Sequence, residues 1–331
     1  MMNRQVRLVS RPSGIATADN FMLSEVAIKP LDDGQILVKN AFLSVDPAMR
    51  GWIADAPNYS EQVALGSVMR AVATGYVVES RHPAFQPGDA VLGWFGWQNY
   101  AVVGTAAVLR KISETELSLS LGLLGYSGAT AYLALTTIGQ PLAGETVVVS
   151  TAAGSVGSAA GQIAHILGCR TIGLTGGPAK VEACRTDFGY DHALDYQASD
   201  WTADLADLCV DGVNVYFDNT CGTISDVVNR HLALRARVIV CGTAAIDRWD
   251  PWPEGPRRER QLLVRRARME DFVIFDHEEK VEAAIDQLRI WHRAGTLRSR
   301  EDIVDGIEAC PDAIAAVYRG ENIGKRLIRL K

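Results

Sequence analysis

The stretch Val147-Val148-Val149-Ser150-Thr151-Ala152-Ala153-Gly154-Ser155-Val156-Gly157 constrains this chain more than any other. A short β-branched run ends in a turn of small residues, and the turn opens a helix expected over residues 155–167. Strand, tight turn and helix N-terminus in that order aim backbone N–H groups and the positive end of a helix dipole at one spot, which suits a pyrophosphate. In a G-x-G-x-x-G frame the first glycine is Ala152, the second Gly154 and the third Gly157. Without a Cβ, Gly154 lets a diphosphate approach the backbone, and Gly157 and Gly161 share a helix face that can lie close on a sheet. The glycines alone are a weak signal, and without a ligand the segment is an ordinary βα turn. The strand before and the helix after make it specific.

The rest of the chain falls into two rhythms. Up to about residue 120, short strand-like runs such as 35–39, 75–79 and 90–93 are broken by the turn signals Asp32-Asp33-Gly34 and Gln86-Pro87-Gly88-Asp89. From about residue 125, strand and helix patterns alternate. Six strands are expected at 147–150, 171–174, 193–194, 213–217, 238–241 and 272–275, with helices at 179–187, 224–233 and 277–291 among them. That spacing means a parallel sheet with right-handed crossovers, an α/β fold of the doubly wound kind. The end of the chain, 324–330, is again strand-like and is expected to return to the first domain.

Composition excludes several functions. The chain has 331 residues, enough for two domains with cores, and a net charge of −6. No basic field invites nucleic acid, and the basic run 257–266 reads as a solvated helix face. No run of about 18 apolar residues could span a membrane, and residues 1–7 lack the apolar core of a signal peptide. The six cysteines are scattered without a C-x-x-C pair, and the six histidines show no ligand spacing with them or with carboxylates. A reducing, cytoplasmic location and no metal site are the expectations.

The second strand separates two dinucleotide types. An acidic residue about 20 positions past the glycines would hold a ribose 2′-hydroxyl. Here the strand ends Gly173-Leu174-Thr175-Gly176-Gly177, and Lys180 follows within one helical turn. A lysine attracts a 2′-phosphate that a carboxylate would repel, so NADP(H) is favoured over NAD(H). The alternative for Lys180 is a solvated lysine opposing its helix dipole.

These pieces, with others in order along the chain, resemble the medium-chain dehydrogenase/reductase superfamily. Within it the chain is similar to the zinc-free branch of leukotriene B4 12-hydroxydehydrogenase/prostaglandin reductases and alkenal double-bond reductases. The matching segments include Val45-Asp46-Pro47-Ala48-Met49-Arg50-Gly51, Gly96-Trp97-Gln98, Gly128-Ala129-Thr130-Ala131-Tyr132, Ala152 to Gly161, Phe217-Asp218-Asn219, Cys241-Gly242, Met269-Glu270 and Asn322-Ile323-Gly324-Lys325. The resemblance implies a β-rich, GroES-like catalytic domain at 1–122 plus 296–331. A Rossmann NADP-binding domain, 123–295, is inserted into it. It implies that Gly154, Ser155, Val156 and Gly157 take the pyrophosphate, and that Gly176, Lys180 and Tyr196 surround the 2′-phosphate. Thr130, Asn219, Cys241, Gly242, the backbone at Phe272 and Ile274, and Asn322 would line the nicotinamide ribose and amide. A homodimer is the implied assembly.

The implied chemistry is reduction of the carbon–carbon double bond of an α,β-unsaturated aldehyde or ketone. Hydride goes to the β-carbon, a hydrogen-bond donor steadies the enolate oxygen, and a proton reaches the α-carbon. Tyr59 matches the family's substrate-side tyrosine, and a phenol stays protonated at pH 7. The family's second tyrosine is replaced by Asp247, and its Met-Pro by Tyr126-Ser127. Tyr126 is either a substitute donor or a ring packed on the cofactor. His277 and Trp94 are further substrate-side candidates, and Trp52, Phe95 and Trp97 are either cleft walls or plain core. The substrate is expected to be a small apolar carbonyl compound. Two other readings stay open, an NADPH quinone reductase and an NADPH-binding sensor without turnover.

Overall fold

A computed structural model describes residues 1–56, 58–246 and 251–331. It divides into two compact units, one of residues 1–121 and 301–331, the other of residues 122–300.

The first unit is β-rich and mostly antiparallel, with one parallel pair between Glu301–Asp305 and Lys325–Arg329. Its strands are β1 (Met2–Leu8), β2 (Phe21–Ala27), β3 (Gln35–Ser44), β4 (Ala73–Ser80), β5 (Ala90–Gly93), β6 (Tyr100–Gly104) and β7 (Val108–Lys111), with a short helix α1 (Met49–Ile53) after β3. β1 and β2 form a hairpin. The other five join two strands from the end of the chain, Glu301–Asp305 and Lys325–Arg329, in a seven-stranded sheet. The expected return of the C-terminal strand is therefore found: Lys325–Arg329 pairs antiparallel with β3. An ion pair with a buried lysine fixes the same junction. Lys325, 3% exposed, meets the carboxylate of Asp46 and donates to Val45 O at 3.1 Å. Tyr318 donates to Pro47 O at 3.0 Å. Two sequence pieces almost three hundred residues apart, Val45-Asp46-Pro47 and the segment ending in Lys325, are thus one structural unit.

The second unit is a six-stranded parallel sheet of β8 (Thr146–Ser150), β9 (Arg170–Thr175), β10 (His192–Asp195), β11 (Val213–Asp218), β12 (Leu232–Val240) and β13 (Arg268–Asp271). The spatial order is β10-β9-β8-β11-β12-β13, the doubly wound 3-2-1-4-5-6 arrangement. Every residue of β8 is buried, as a strand covered on both faces requires. Among the helices are α2 (Tyr126–Ala134), α3 (Ser155–Ile166) and α4 (Pro178–Thr186). A long helix, Glu278–Arg293, buries Val281, Ala284, Ile285 and Leu288, one stripe at helical spacing. The segment after it stays with this unit, because Gln162 exchanges hydrogen bonds with the backbone of Arg298 at 2.8 and 3.0 Å.

Two expected elements differ. The sixth strand is β13, which ends just before the expected 272–275, and the second half of that run, 274–275, instead opens a 3-10 turn over Ile274–His277. The apolar run 272–275 is buried chiefly at Phe272, which ends the pairing by donating its N–H to Val240 O at 3.0 Å. The helix expected to 233 stops by 231, since Leu232 and Ala233 are already the buried start of β12.

Candidate active site

The order of the parallel strands reverses between β8 and β11, and the residues of interest in the second unit lie at the carboxyl ends of these strands. β8 ends at Ser150, and Thr151 then takes a left-handed backbone, φ +54°. A β-branched residue avoids that region. Ala152 N–H bonds to Leu174 O of β9 at 3.0 Å, and Gly154 N–H returns to Thr151 O at 2.8 Å. Gly154 is the N-cap of α3, whose first internal bond is Ser158 N–H to Gly154 O at 2.9 Å. The N–H groups of Ser155, Val156 and Gly157 therefore have no acceptor within the helix. Three such donors at the positive end of a twelve-residue helix fit a pyrophosphate.

The glycines of this turn serve a different contact from the one expected. A Cβ on Gly157 would stand 2.2 Å from Thr151 O, and one on Gly161 would stand 2.0 Å from Cζ of Tyr190. Tyr190 donates its hydroxyl to Gly157 O at 2.6 Å. The two glycines thus make room for the turn's own carbonyl and for a buried tyrosine, more than for the sheet. Ala152 is accommodated by Gly173, where a Cβ would lie 2.8 Å from that of Ala152.

At the end of β9, a Cβ on Gly176 would approach the Tyr196 hydroxyl to 2.9 Å, so phenol and loop are adjacent. Lys180 lies in the first turn of α4, which starts at Pro178. Asp195 was not singled out from the sequence, yet it organises this corner. One carboxylate oxygen accepts the N–H groups of Gly177 and Gln197, each at 2.9 Å. Burial, and then the Asp195 charge, push the Tyr196 phenol above its ordinary pKa, so it remains a neutral donor.

Across the reversal point the side chain of Asn219 ties β11 to β8. Its Nδ2 donates to Ser150 O at 2.7 Å and its N–H to Ser150 Oγ at 2.8 Å. Beneath it Asp218 is fully buried. Its carboxylate accepts from Tyr216 Oη at 3.0 Å, from the N–H groups of Thr220 and Cys221 at 3.0 and 2.8 Å, and from Ser225 Oγ. Its carbonyl accepts from Cys241 and Gly242. Asn219, Cys241 and Gly242 are therefore held together through one residue, and a Cβ on Gly242 would meet Asn219 O at 2.9 Å. Cys221 adopts φ +54° there. Burial first, then the Asp218 charge, raise the Cys221 and Cys241 thiols to about 12, which leaves both unreactive. In the sequence these contacts of Asp218 were legible only as Asp-Asn at the end of a strand.

Tyr126 is the first residue of α2, with its ring edge on Phe275 at 5.6 Å. Thr130 is buried in the same helix. Ile274 and His277 bound the 3-10 turn, and the His277 ring stacks on Phe272 at 4.8 Å and 8°. In the first unit Tyr59 is 57% exposed on the loop after α1. Trp94 is half-buried, its ring 5.8 Å from that of Trp52. Trp52, Phe95 and Trp97 are core residues, and Trp97 donates to Ser44 O at 3.0 Å. Asn322 is buried and donates to Gly324 O at 2.8 Å. Asp247 lies outside the described residues. Among the described residues no group of three or more His, Cys, Asp or Glu is placed to hold a metal ion, and no helix is long and apolar enough to cross a membrane.

Comparison with known proteins covers the whole chain. A family profile described as the N-terminal domain of oxidoreductase matches residues 4–112, and one described as zinc-binding dehydrogenase matches residues 155–289. The NADPH-dependent curcumin reductase of Escherichia coli (strain K12) is 38% identical, over 99% of this chain and 97% of that protein. The NADP(+)-dependent 2-alkenal reductase of Nicotiana tabacum is 34% identical, over 98% and 97%. The crystal structure of CurA in complex with NADPH from Vibrio vulnificus superposes with a TM-score of 0.94 at 36% identity, over 99% of both chains.

Proposed function

This chain belongs to the zinc-independent medium-chain dehydrogenase/reductases, and from that membership we propose that it is an NADPH-dependent reductase of the carbon–carbon double bond of α,β-unsaturated aldehydes and ketones. The observation that carries the reading is the turn from Thr151 to Gly157. It offers three first-turn N–H donors beside Asn219 at the strand-order reversal, in a chain that matches an NADPH-dependent curcumin reductase from end to end.

NADPH, when bound, supplies hydride for the β-carbon of the substrate. The chain's own residues bind and orient. Ser155, Val156 and Gly157 donate N–H groups to the pyrophosphate. Lys180 and the neutral Tyr196 hydroxyl take the 2′-phosphate. Asn219, Cys241, Gly242 and the backbone near Phe272 and Ile274, with Thr130 and Asn322, position the nicotinamide end. Tyr59 donates a hydrogen bond to the carbonyl oxygen as negative charge gathers there. Tyr126 is the second donor candidate, and Trp94 and His277 lie on the substrate side.

The test is loss of absorbance at 340 nm with NADPH or NADH and a panel of 2-alkenals, cyclic enones, curcumin and quinones. Turnover with NADPH and an enal or enone, the carbonyl retained in the product, is the expected result. Turnover with quinones alone, or tight NADPH binding with no turnover, overturns it. A homodimer is part of the same proposal, read by light scattering, as is residence in the cytoplasm, read by fractionation.

A further inference from the structure

The loop that carries Tyr59 is held from two sides, and one of the holders is a cation. On one side Asn58 lies over α1: a Cβ on Gly51 would stand 1.8 Å from Asn58 Nδ2, and Asn58 Oδ1 accepts the Tyr59 N–H at 2.7 Å. On the other side Arg70 donates from Nη2 to Ser60 Oγ at 2.8 Å, with its guanidinium 4.5 Å above the Trp52 ring. Nε of Arg70 is buried and has no hydrogen-bond partner among the described residues. A guanidinium that stacks on a core tryptophan has little freedom to leave.

We propose that Arg70 is a positioning residue for the reaction: it clamps the Tyr59 loop through Ser60 and presents a fixed positive charge to the Tyr59 phenol. The inference rests on the reading of Tyr59 as the donor to the substrate oxygen. Burial acts most strongly on Arg70 and disfavours its cation, while the charges of Glu61 and then of Tyr59 favour it. Electrostatic interaction is mutual, so the cation favours negative charge on the phenol oxygen and on an oxygen hydrogen-bonded to it. The charge that gathers on the substrate oxygen lies in the same positive field. Glu61 works against this field and sets its size.

The experiment is a cycle of Arg70→Gln and Tyr59→Phe in the full chain, with a cyclic enone and NADPH, read as kcat, KM and the pH profile of kcat. Arg70→Gln is expected to lower kcat roughly 3–10-fold with the KM for NADPH unchanged. It should move the alkaline limb upward, because the phenol loses the cation that favours its ionised form. In the Tyr59→Phe background the same change should alter kcat less than about twofold. Arg70→Lys keeps the charge and should restore the limb, and Glu61→Gln should move it downward. An equal loss in both backgrounds, or an alkaline limb that ignores both Arg70 and Glu61, overturns the proposal. If Tyr59→Phe alone leaves kcat unchanged, the donor reading itself has failed. Titration of the Tyr59 phenol at 295 nm, with and without Arg70, then still decides whether the cation acts on it.

Discussion

The turn that opens α3 and the loop that carries Tyr59 are built from different materials. The turn is built around its own backbone: Thr151 O lies against Gly157, the small Ala152 side chain against Gly173, and the Tyr190 hydroxyl on Gly157 O. The loop is side chain against side chain, with Asn58 over Gly51, Arg70 on Ser60, and Tyr59 largely in solvent. Groups that must meet an invariant ligand such as a diphosphate are well served by main-chain donors that no substitution outside the turn removes. Groups that meet a variable substrate sit on side chains, where one substitution changes specificity without disturbing the fold.

The sharpest way to break this contrast is to add single methyl groups. Gly157→Ala drives a Cβ into a backbone carbonyl that the turn itself fixes, and should cost about 3 kcal/mol or more. Gly104→Ala in the first unit places the same methyl in open space on an extended backbone, and should cost no more than about 0.5 kcal/mol. Urea unfolding of the two variants measures the difference. Comparable midpoints would mean that the turn yields and is not the rigid element described.

Next in size is the corner proposed for the 2′-phosphate. Lys180→Ala should raise the KM for NADPH by a factor of roughly 10–100, as one charge-assisted contact worth about 1.5–3 kcal/mol is lost. The KM for NADH should barely move. Equal effects on both would remove Lys180 from the 2′-phosphate. Asp195 makes this test informative, because it brings a carboxylate to the same loop, although both of its short contacts go to backbone N–H groups.

Tyr59→Phe tests the other side of the comparison. It deletes one hydroxyl from an exposed loop residue, so stability should be unchanged within about 0.5 kcal/mol, while kcat for an enone falls by roughly tenfold. NADPH affinity should stay as it was. A change in affinity would tie this loop to the cofactor.

What was readable in the sequence follows the same division. The strand-turn-helix from residue 147, the parallel sheet it opens and the return of the C-terminal strand are set by local patterns: β-branched runs, small-residue turns, helical spacing of apolar residues. They were legible for that reason. The roles of Gly157 and Gly161 were legible only in part, since Tyr190 reaches them from a segment whose fold a local reading does not place. Asp218 and Asp195 left no signal beyond a polar residue at a strand end, because their partners are backbone N–H groups gathered by tertiary structure. Trp52, Phe95 and Trp97 could not be sorted from Trp94 by sequence, since burial depends on neighbours and not on residue type. The mis-set sixth strand has a similar cause. The apolar run after 271 looks like strand, yet β13 itself, Arg-Met-Glu-Asp, is polar and pairs by its main chain.

The smallest expected effect concerns the strain in the turn. Thr151 holds φ +54°, which costs a β-branched residue about 1–2 kcal/mol relative to its relaxed conformations. Thr151→Gly removes that cost but gives the unfolded chain more freedom, worth about 0.5–1 kcal/mol in the opposite direction. The two partly cancel, so the folded state should gain between nothing and about 1.5 kcal/mol. The turn would also lose Thr151 Cγ2, which stands 3.1 Å from where a Gly154 Cβ would be and so occupies the space beside that glycine. A urea midpoint slightly raised with an unchanged slope is the expected result, together with somewhat weaker NADPH binding, because a glycine no longer holds the three N–H donors in one arrangement. A large loss of stability would show that the Thr151 side chain, and not the path of its backbone, is what fixes the turn. The contrast between a backbone-built turn and a side-chain-built loop would then be weaker than the packing of Gly157 and Gly161 suggests.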